Sequence, residues 1–392
     1  MKEIQAMSNN TTVLANLLSH LDRSDFESSV LEFKGDFKTK TLSTFNVLKT
    51  LIYGQVTSSF SVREIESSMT ANSSKLYHCG LSPVKRSTLC DALKNRDYRI
   101  FERTFASLAD KAKIIAGNKG KRFKNPLKII DASTIDLCLS KFDWAKFRTT
   151  KGAVKLHLKL DGDSLFPEQA ILTTGSVHEV TQMSKLCYKA GEIYVFDRGY
   201  VDYKRLYDIE IAKSFFVTRM KINGQHEIVE CFYKSKTGAI RLDASIKLTT
   251  KKGAKDYPSV LRIVCYHDDE NDRDYTFLTN NFDLSAQEIA DIYKSRWQVE
   301  LFFKWIKQNL KIKTFWGTSK NAVFIQIWTA LIVSLLLWIH KALSNLEVSS
   351  QRILQILKTT ILTKNSIIGL FDSNGPPAAV VSDQLYFEGF KF

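Results

Sequence analysis

The sequence predicts a mixed α/β core, preceded by an all-helical domain and interrupted by a β-rich insertion. Three observations predict this. Apolar residues recur three and four apart from Leu42 through Phe45, Leu48, Leu51 and Ile52, the spacing of a helix face. After the basic, turn-rich stretch Gly117-Asn-Lys-Gly-Lys-Arg-Phe-Lys-Asn-Pro126 the period changes to that of strands. Beyond residue 285 a long helical segment without Gly or Pro returns. With 392 residues, 44% of them hydrophobic, the chain can bury more than one core, so this division implies separate domains.

Taken in order, residues 1–40 are polar and mixed, with a helix expected around Thr12–Leu21. Helices follow at 42–52, at Ser61–Met69 and, after the turn at Gly80 to Pro83, at Lys85–Arg96, capped by Ser82 or Ser87. Phe101–Ala116 is a further helix. This bundle has the character of a helix-turn-helix, and Lys85 and Arg86 at a helix start suit DNA phosphates; a plain bundle with a solvated basic face is the alternative. Strands are then expected at Leu127–Ile130, Val154–Leu160, Glu168–Thr174, Glu192–Phe196 and Ser214–Arg219, with helices at Glu179–Lys189 and Asp202–Lys213. Closed by the helix after 285, this is the ribonuclease-H-like order. The expected domains are therefore 1–120 (helical, DNA-binding), 121–220 with 285–345 (ribonuclease-H-like catalytic core), 221–284 (β-rich insertion) and 346–392 (C-terminal tail, loosely structured after Gly375-Pro-Pro377).

The closing helix carries the chemistry. Ser285 can cap a helix running through Asp291–Leu310. At about 100° per residue, Tyr293, Arg296, Glu300 and Lys307 share an arc of roughly 60°. Most of the remaining surface is apolar, and a charged stripe on such a helix needs a reason, because unpaired buried charge is costly. On helix geometry alone, an Arg296–Glu300 pair one turn apart is the simpler reading.

The spacing Tyr293-x2-Arg296-x3-Glu300-x6-Lys307 also resembles the YREK motif of DDE transposases in the insertion-sequence-four family. Asp131-Ala-Ser-Thr-Ile-Asp-Leu-Cys-Leu139 and Asp197-Arg-Gly-Tyr200 resemble that family's two aspartate motifs, and Trp144–Arg148, Lys151–His157 and Tyr77-His-Cys-Gly80 extend the likeness over about 25–340. The resemblance implies a transposase that binds terminal inverted repeats, cleaves phosphodiesters to free 3′-hydroxyls and joins them to target DNA. It implies Arg296, Lys307 and Tyr293 at the phosphates beside the cut, and a β-rich insertion at 221–284. Some relatives stack a flipped base on a tryptophan of that insertion; this chain has no tryptophan between Trp144 and Trp297, with Phe232, Tyr233 and Tyr266 as possible substitutes.

Asp131 and Asp197 each follow an apolar run, and in a ribonuclease-H-like sheet their strands would be central neighbours meeting the closing helix. Three converging carboxylates, Asp131, Asp197 and Glu300, repel unless cations neutralise them, and all-oxygen ligation suits two Mg²⁺ or Mn²⁺ ions. Asp136 is the alternative to Asp131, and His157 and His178 are read as ordinary strand and loop residues. A net charge of +15 points to a polyanionic partner, double-stranded DNA first. Lys221, Lys234, Lys236, Arg241, Lys247, Lys251, Lys252 and Lys255 give the insertion a basic surface, or else guard its β edge. Synapsis of two ends implies a homodimer on DNA.

The six scattered cysteines read as reduced, no apolar signal core opens the chain, and a cytoplasmic, nucleoid-associated protein is expected. Ala322–Ile339 nears membrane-spanning length but is expected to be a buried helix, with no membrane partner. A simple metal-dependent nuclease and a non-catalytic DNA-binding regulator are the rival functions.

Overall fold

The computed structural model describes residues 11–117, 122–221 and 224–371. The chain divides into two compact units: Met1–Lys119 with Ile135–Gly152 and Lys304–Phe392, and Gly120–Thr134 with Ala153–Phe303. The helical unit is thus not 1–120 alone, because it also takes the end of the closing helix and everything after it.

The helical unit opens with α1 (Val13–Leu18), α2 (Arg23–Glu32), α3 (Thr44–Val56), α4 (Val62–Ala71), α5 (Ser73–Leu76), α6 (Arg86–Asn95) and α7 (Tyr98–Ala116). Side chains of Thr12, Asp22, Ser43, Ser61 and Asp97 cap α1, α2, α3, α4 and α7 by accepting from backbone N–H groups. Helix α2 was not foreseen: its apolar residues are too few to show a period. Neither Ser82 nor Ser87 caps α6, which starts at Lys85 without a side-chain cap.

Later in the chain, α12 (Lys320–Ser344) forms the centre of this unit and packs on α3, α6 and α7. It is long and apolar enough to cross a membrane, but 94% of its most apolar window is buried inside the protein. Phe105 meets Trp328 at 5.3 Å between ring centres, and Tyr98 meets Phe324 edge-on at 5.1 Å. The polar interruptions are satisfied. Gln326 donates to Lys311 O and Thr314 O and accepts from Trp316 N, while Thr329 and Ser334 donate to carbonyls within the helix. Past α12, the segment expected as a C-terminal tail contains α13 (Ser350–Thr360), which buries Ile353, Leu354 and Leu357. The stretch after Pro377 lies outside the described residues.

Ten strands follow the order β2-β3-β1-β5-β6-β10-β9-β8-β7, with β4 on β3. They are β1 (Leu127–Leu137), β2 (Lys146–Arg148), β3 (Lys151–Asp161), β4 (Pro167–Thr174), β5 (Ile193–Val195), β6 (Phe215–Arg219), β7 (His226–Lys234), β8 (Ile240–Leu248), β9 (Leu261–Asp268) and β10 (Arg273–Thr279). Among the described residues β1 pairs in parallel with β5 and β5 with β6, in a mixed sheet that is otherwise mostly antiparallel. Helix α8 (Tyr203–Ile211) joins β5 to β6, whereas 179–185, expected as an α-helix, is a 3₁₀ turn. The insertion strands are not a separate body. β10 pairs with β6, Phe277 opposite Arg219, so they prolong the same sheet, with α9 (Lys251–Asp256) between β8 and β9.

Two polar clusters fix this unit. At the start of β1 the buried Lys128 ammonium lies 3.0 Å from both Asp161 and Glu168. Burial alone would lower it, but Glu168 and Asp161 outweigh burial and hold it at about 12. Between β9 and the closing helices, Arg262 binds both oxygens of Asp243 at 2.8 and 2.7 Å and donates to Leu284 O at 2.6 Å. Both side chains are buried, so either left alone would be a stranded charge. Arg262→Ala should therefore destabilise the protein by about 3–5 kcal/mol, read as a lower urea midpoint; an unchanged midpoint would show that the pair is not a structural anchor.

Candidate active site

The closing segment begins as read from the sequence. Ser285 accepts from Glu288 N while the Glu288 carboxylate accepts from Ser285 N, a reciprocal cap that starts α10 (Ala286–Ser295). The expected continuous helix is, however, two: α10 ends at Ser295 and α11 (Trp297–Asn309) begins one residue after Arg296. At the junction Arg296 N donates to Tyr293 O, three residues back, and the buried Ser295 donates its hydroxyl to Ile292 O at 2.6 Å. Arg296 thus sits at the junction of the two helices.

Asp131 does not end its strand. β1 runs on to Leu137, but its pairing with β5 stops at Ile129↔Val195, so Asp131 stands just beyond the parallel register. Asp197 follows β5 by two residues and leads into the 3₁₀ turn Arg198–Tyr200. β1 and β5 are neighbours, which brings the two aspartates to the same end of the sheet.

Arg296 gathers the carboxylates. Its Nη2 donates to Glu300 Oε1 at 2.8 Å and its Nη1 lies 3.5 Å from Asp131 Oδ2. The structure thus contains the simple Arg296–Glu300 pair and adds Asp131 to it. The guanidinium stands 5.7 Å over the Tyr293 ring, and the Tyr293 hydroxyl donates to Asp197 Oδ1 at 3.1 Å. Tyr293 is itself seated on Phe277, 4.8 Å between ring centres. Burial first, and then Asp197, push the Tyr293 hydroxyl up to about 12, so it remains a donor at neutral pH. Burial opposes the Arg296 charge, but Tyr293, Glu300 and Asp131 raise its pKa.

Asp131 is the perturbed carboxylate. Burial raises its pKa to about 6; Ala132 N and Arg296 pull it down, and Glu300 and Glu179 push it up. Tyr200, absent from the sequence-derived site, is 2% exposed, and its hydroxyl has no hydrogen-bond partner. Burial, then Asp131, Glu179 and Asp197, push that hydroxyl far up, against Arg296. Arg296 Nε is likewise buried without a partner. Position three after Asp197 was the available signal for Tyr200; Glu179, at the start of a segment expected as a helix, offered none.

The other sequence candidates fall elsewhere. Asp136 is exposed and, five residues from Asp131 on an alternating strand, faces the opposite side. His157 is buried with Nε2 3.0 Å from Thr173 Oγ1, and burial lowers it to about 4. His178 is exposed in a loop. Lys307 lies on α11 seven residues past Glu300, about 10 Å along the axis. It belongs to the helical unit, where burial and then Lys313 lower its pKa.

This geometry defines the class: a mixed α/β protein in which an arginine spans the carboxylates of a strand and a helix, and a neighbouring tyrosine holds the aspartate at a strand end. The family model for the transposase DDE domain matches residues 122–336, and that of a domain of unknown function, DUF4372, matches 9–82. The chain belongs to the DDE-domain transposases of insertion sequences. A protein of Geobacillus stearothermophilus named "Probable transposase for insertion sequence element IS5377" is 32% identical over 67% of this chain and 69% of its own length. The protein y4zB of Sinorhizobium fredii, also named as a transposase, is 32% identical over 74% of this chain and 81% of its own. Among solved structures, the piggyBac transposase synaptic complex with hairpin DNA, determined by cryo-EM, superposes at a TM-score of 0.48 and 9% identity over 95% of this chain and 84% of that one, too distant to bear on details.

Asp131 yields a pH prediction. Its folded pKa of about 6 lies above the ordinary 3.8, so the fold favours the protonated form. Its contribution is complete below the ordinary value and lost as pH rises through 6. In metal-free buffer, the stability of the parent relative to Asp131→Asn should fall by up to about 3 kcal/mol between pH 4 and 7, measured by urea denaturation at each pH. A pH-independent difference would contradict the assignment.

Proposed function

We propose that this protein is a cut-and-paste DNA transposase of the insertion-sequence-four type, with a ribonuclease-H-like catalytic core and the YREK residues Tyr293, Arg296, Glu300 and Lys307. It binds the terminal inverted repeats of its element, hydrolyses a phosphodiester to free a 3′-hydroxyl, and joins that end to target DNA. The observation that carries this reading is the bridging of Asp131 and Glu300 by Arg296, with Asp197 tied in through Tyr293.

By donor type, though not by spacing, the set suits Mg²⁺ or Mn²⁺. Its oxygens are all carboxylate, and burial disfavours the Asp131 anion, which a cation would relieve. Among the described residues no three His, Cys, Asp or Glu side chains stand close enough together to enclose an ion. Two of the carboxylates are instead spanned by the Arg296 guanidinium, which supplies positive charge at that place. Asp131, Asp197 and Glu300 would hold two ions, which when bound supply Lewis acidity to the attacking and leaving oxygens of the phosphodiester.

The chain's own groups do the rest. Tyr293 keeps its proton and orients Asp197. Arg296 has a planar fork suited to phosphate oxygens, and with Lys307 it contacts the phosphates beside the cut. Lys234, Lys236, Lys247, Lys251, Lys252 and Lys255 are exposed, as are Lys85 and Arg86 at the start of α6, and these basic groups track the DNA backbone. The protein acts in the cytoplasm as a homodimer when two ends are synapsed, without a membrane partner.

Glu300→Gln keeps shape and hydrogen bonding but removes the charge. Strand cleavage and plasmid joining in Mg²⁺ should be lost, with melting temperature and inverted-repeat binding close to the parent. Retained cleavage by the folded variant would falsify the three-carboxylate reading, and cleavage without joining in the parent would leave a nuclease. Binding of the parent to end DNA should weaken by about 10³-fold or more between roughly 50 and 200 mM salt; a flat salt profile would remove DNA as the partner.

A further inference from the structure

The loop between α2 and α3 is anchored along its length, yet it holds one aromatic ring out in solvent. Gly35 N donates to Val30 O at 2.8 Å, Phe37 N to Lys34 O at 3.1 Å and Thr39 N to Asp36 O at 3.0 Å, so the backbone turns repeatedly on itself. The Asp36 carboxylate accepts from both the N and the Oγ1 of Thr44 at 2.7 Å, which ties the loop to the first residue of α3. Gly35 is packed so closely that a Cβ there would lie 2.6 Å from Ile100 on α7. The ends are clasped as well. Arg99 and Arg103 stand over the Phe33 ring at 4.5 and 4.9 Å, and Arg96 donates to Leu42 O at 3.0 Å. Phe37, in the middle of this fixed loop, is 67% exposed.

The charges around Phe37 are unbalanced. Lys34, Lys38 and Lys40 are exposed, as is Lys94 near the end of α6, and among the described residues none of the four is paired with a carboxylate. The neighbouring acids are already taken: Glu32 by Arg103, and Asp97 by Arg99 at 2.6 Å. Lys94 belongs to the same face, because it lines a cleft of about 500 Å³ together with Phe33 and Arg99. The Lys38 ammonium is 5.3 Å from the centre of the Phe37 ring. Covering that ring with an apolar protein surface would strip water from the lysines without pairing them. A DNA duplex meets both needs, with phosphates for the ammonium groups and base steps for the ring.

We propose that this loop is a DNA-binding element of the helical unit: Phe37 packs into the minor groove against the base steps, and Lys34, Lys38, Lys40 and Lys94 take the phosphates around it. This rests on the DNA-binding reading above and adds a surface that the reading did not include. Lys94 lies eight residues from Arg86, about 12 Å along α6, so the loop is a second point of contact at the far end of that helix.

The test is binding of the full-length protein to a duplex cut from the end of its element, read by fluorescence anisotropy over a salt series in metal-free buffer. Phe37→Ala should weaken binding by roughly 5- to 100-fold with the salt slope and melting temperature unchanged, because a ring is lost and no charge. The double variant Lys34→Ala, Lys38→Ala should weaken binding and flatten the slope of log affinity against log salt by about 2, one for each phosphate contact removed. Parent-like affinity of Phe37→Ala, or a parent-like slope of the lysine variant, overturns the proposal and leaves DNA as the partner through other surfaces. Should Phe37→Ala fail to fold, the lysine variant decides alone by the same criterion. If the parent shows no salt-dependent binding, the DNA reading and this proposal fall together. Phosphatidylglycerol vesicles are run in parallel: variants that lose vesicle binding but keep parent-like DNA binding would make the face a lipid site and overturn the proposal likewise.

Discussion

The guanidinium of Arg296 is the interaction on which the site depends. Asp131 and Glu300 come from a strand and a helix, and bringing two carboxylates together in a partly buried place is unfavourable without a cation between them. Arg296 supplies it, at 3.5 Å from one and 2.8 Å from the other. It can do so because it sits at a helix junction. Were α10 and α11 one unbroken helix, its position would be set by the helix alone. At the junction the Arg296 amide donates to Tyr293 O, and its guanidinium reaches Glu300 on one side and Asp131 on the other.

Positioning of that junction traces back through the unit. The Ser285–Glu288 cap sets where α10 starts, and Arg262 holds the preceding turn through Leu284 O while gripping Asp243 on β8. The strands of the insertion are therefore part of the site's support. They extend the sheet through β10 on β6, and Phe277 on β10 provides the surface on which Tyr293 lies. An aromatic ring seated on a strand, a hydroxyl on Asp197 and a guanidinium above the ring make a chain of contacts in which each group fixes the next.

In α12 every interruption of the apolar run, Gln326, Thr329 and Ser334, finds a carbonyl or an N–H, and these are structural. Around Asp131 two buried polar atoms, Tyr200 Oη and Arg296 Nε, find none. Trp328 Nε1 in α12 is likewise unmet, so an orphaned atom alone does not mark a site; at Asp131 it is the raised carboxyl pKa, beside the Arg296 guanidinium, that singles out the place.

The sequence by itself determined the elements and the chemical alphabet. Helical and alternating periods located the longer helices and most strands, because both are local consequences of backbone geometry; short or weakly periodic elements such as α2, α5 and α9 left no such trace. Residue spacing on one helix put Tyr293, Arg296 and Glu300 together, because a turn of helix is a fixed distance. Tertiary structure alone decided the rest. The closing helix became two at Arg296, β1 ran on past Asp131, and Asp136 came to the other face. The insertion became an extension of the sheet because β10 found β6. Glu179 and Tyr200 joined the site through a contact between two short turns. That contact spans residues twenty apart with no periodic link between them, and no local pattern records which loop will lie against which.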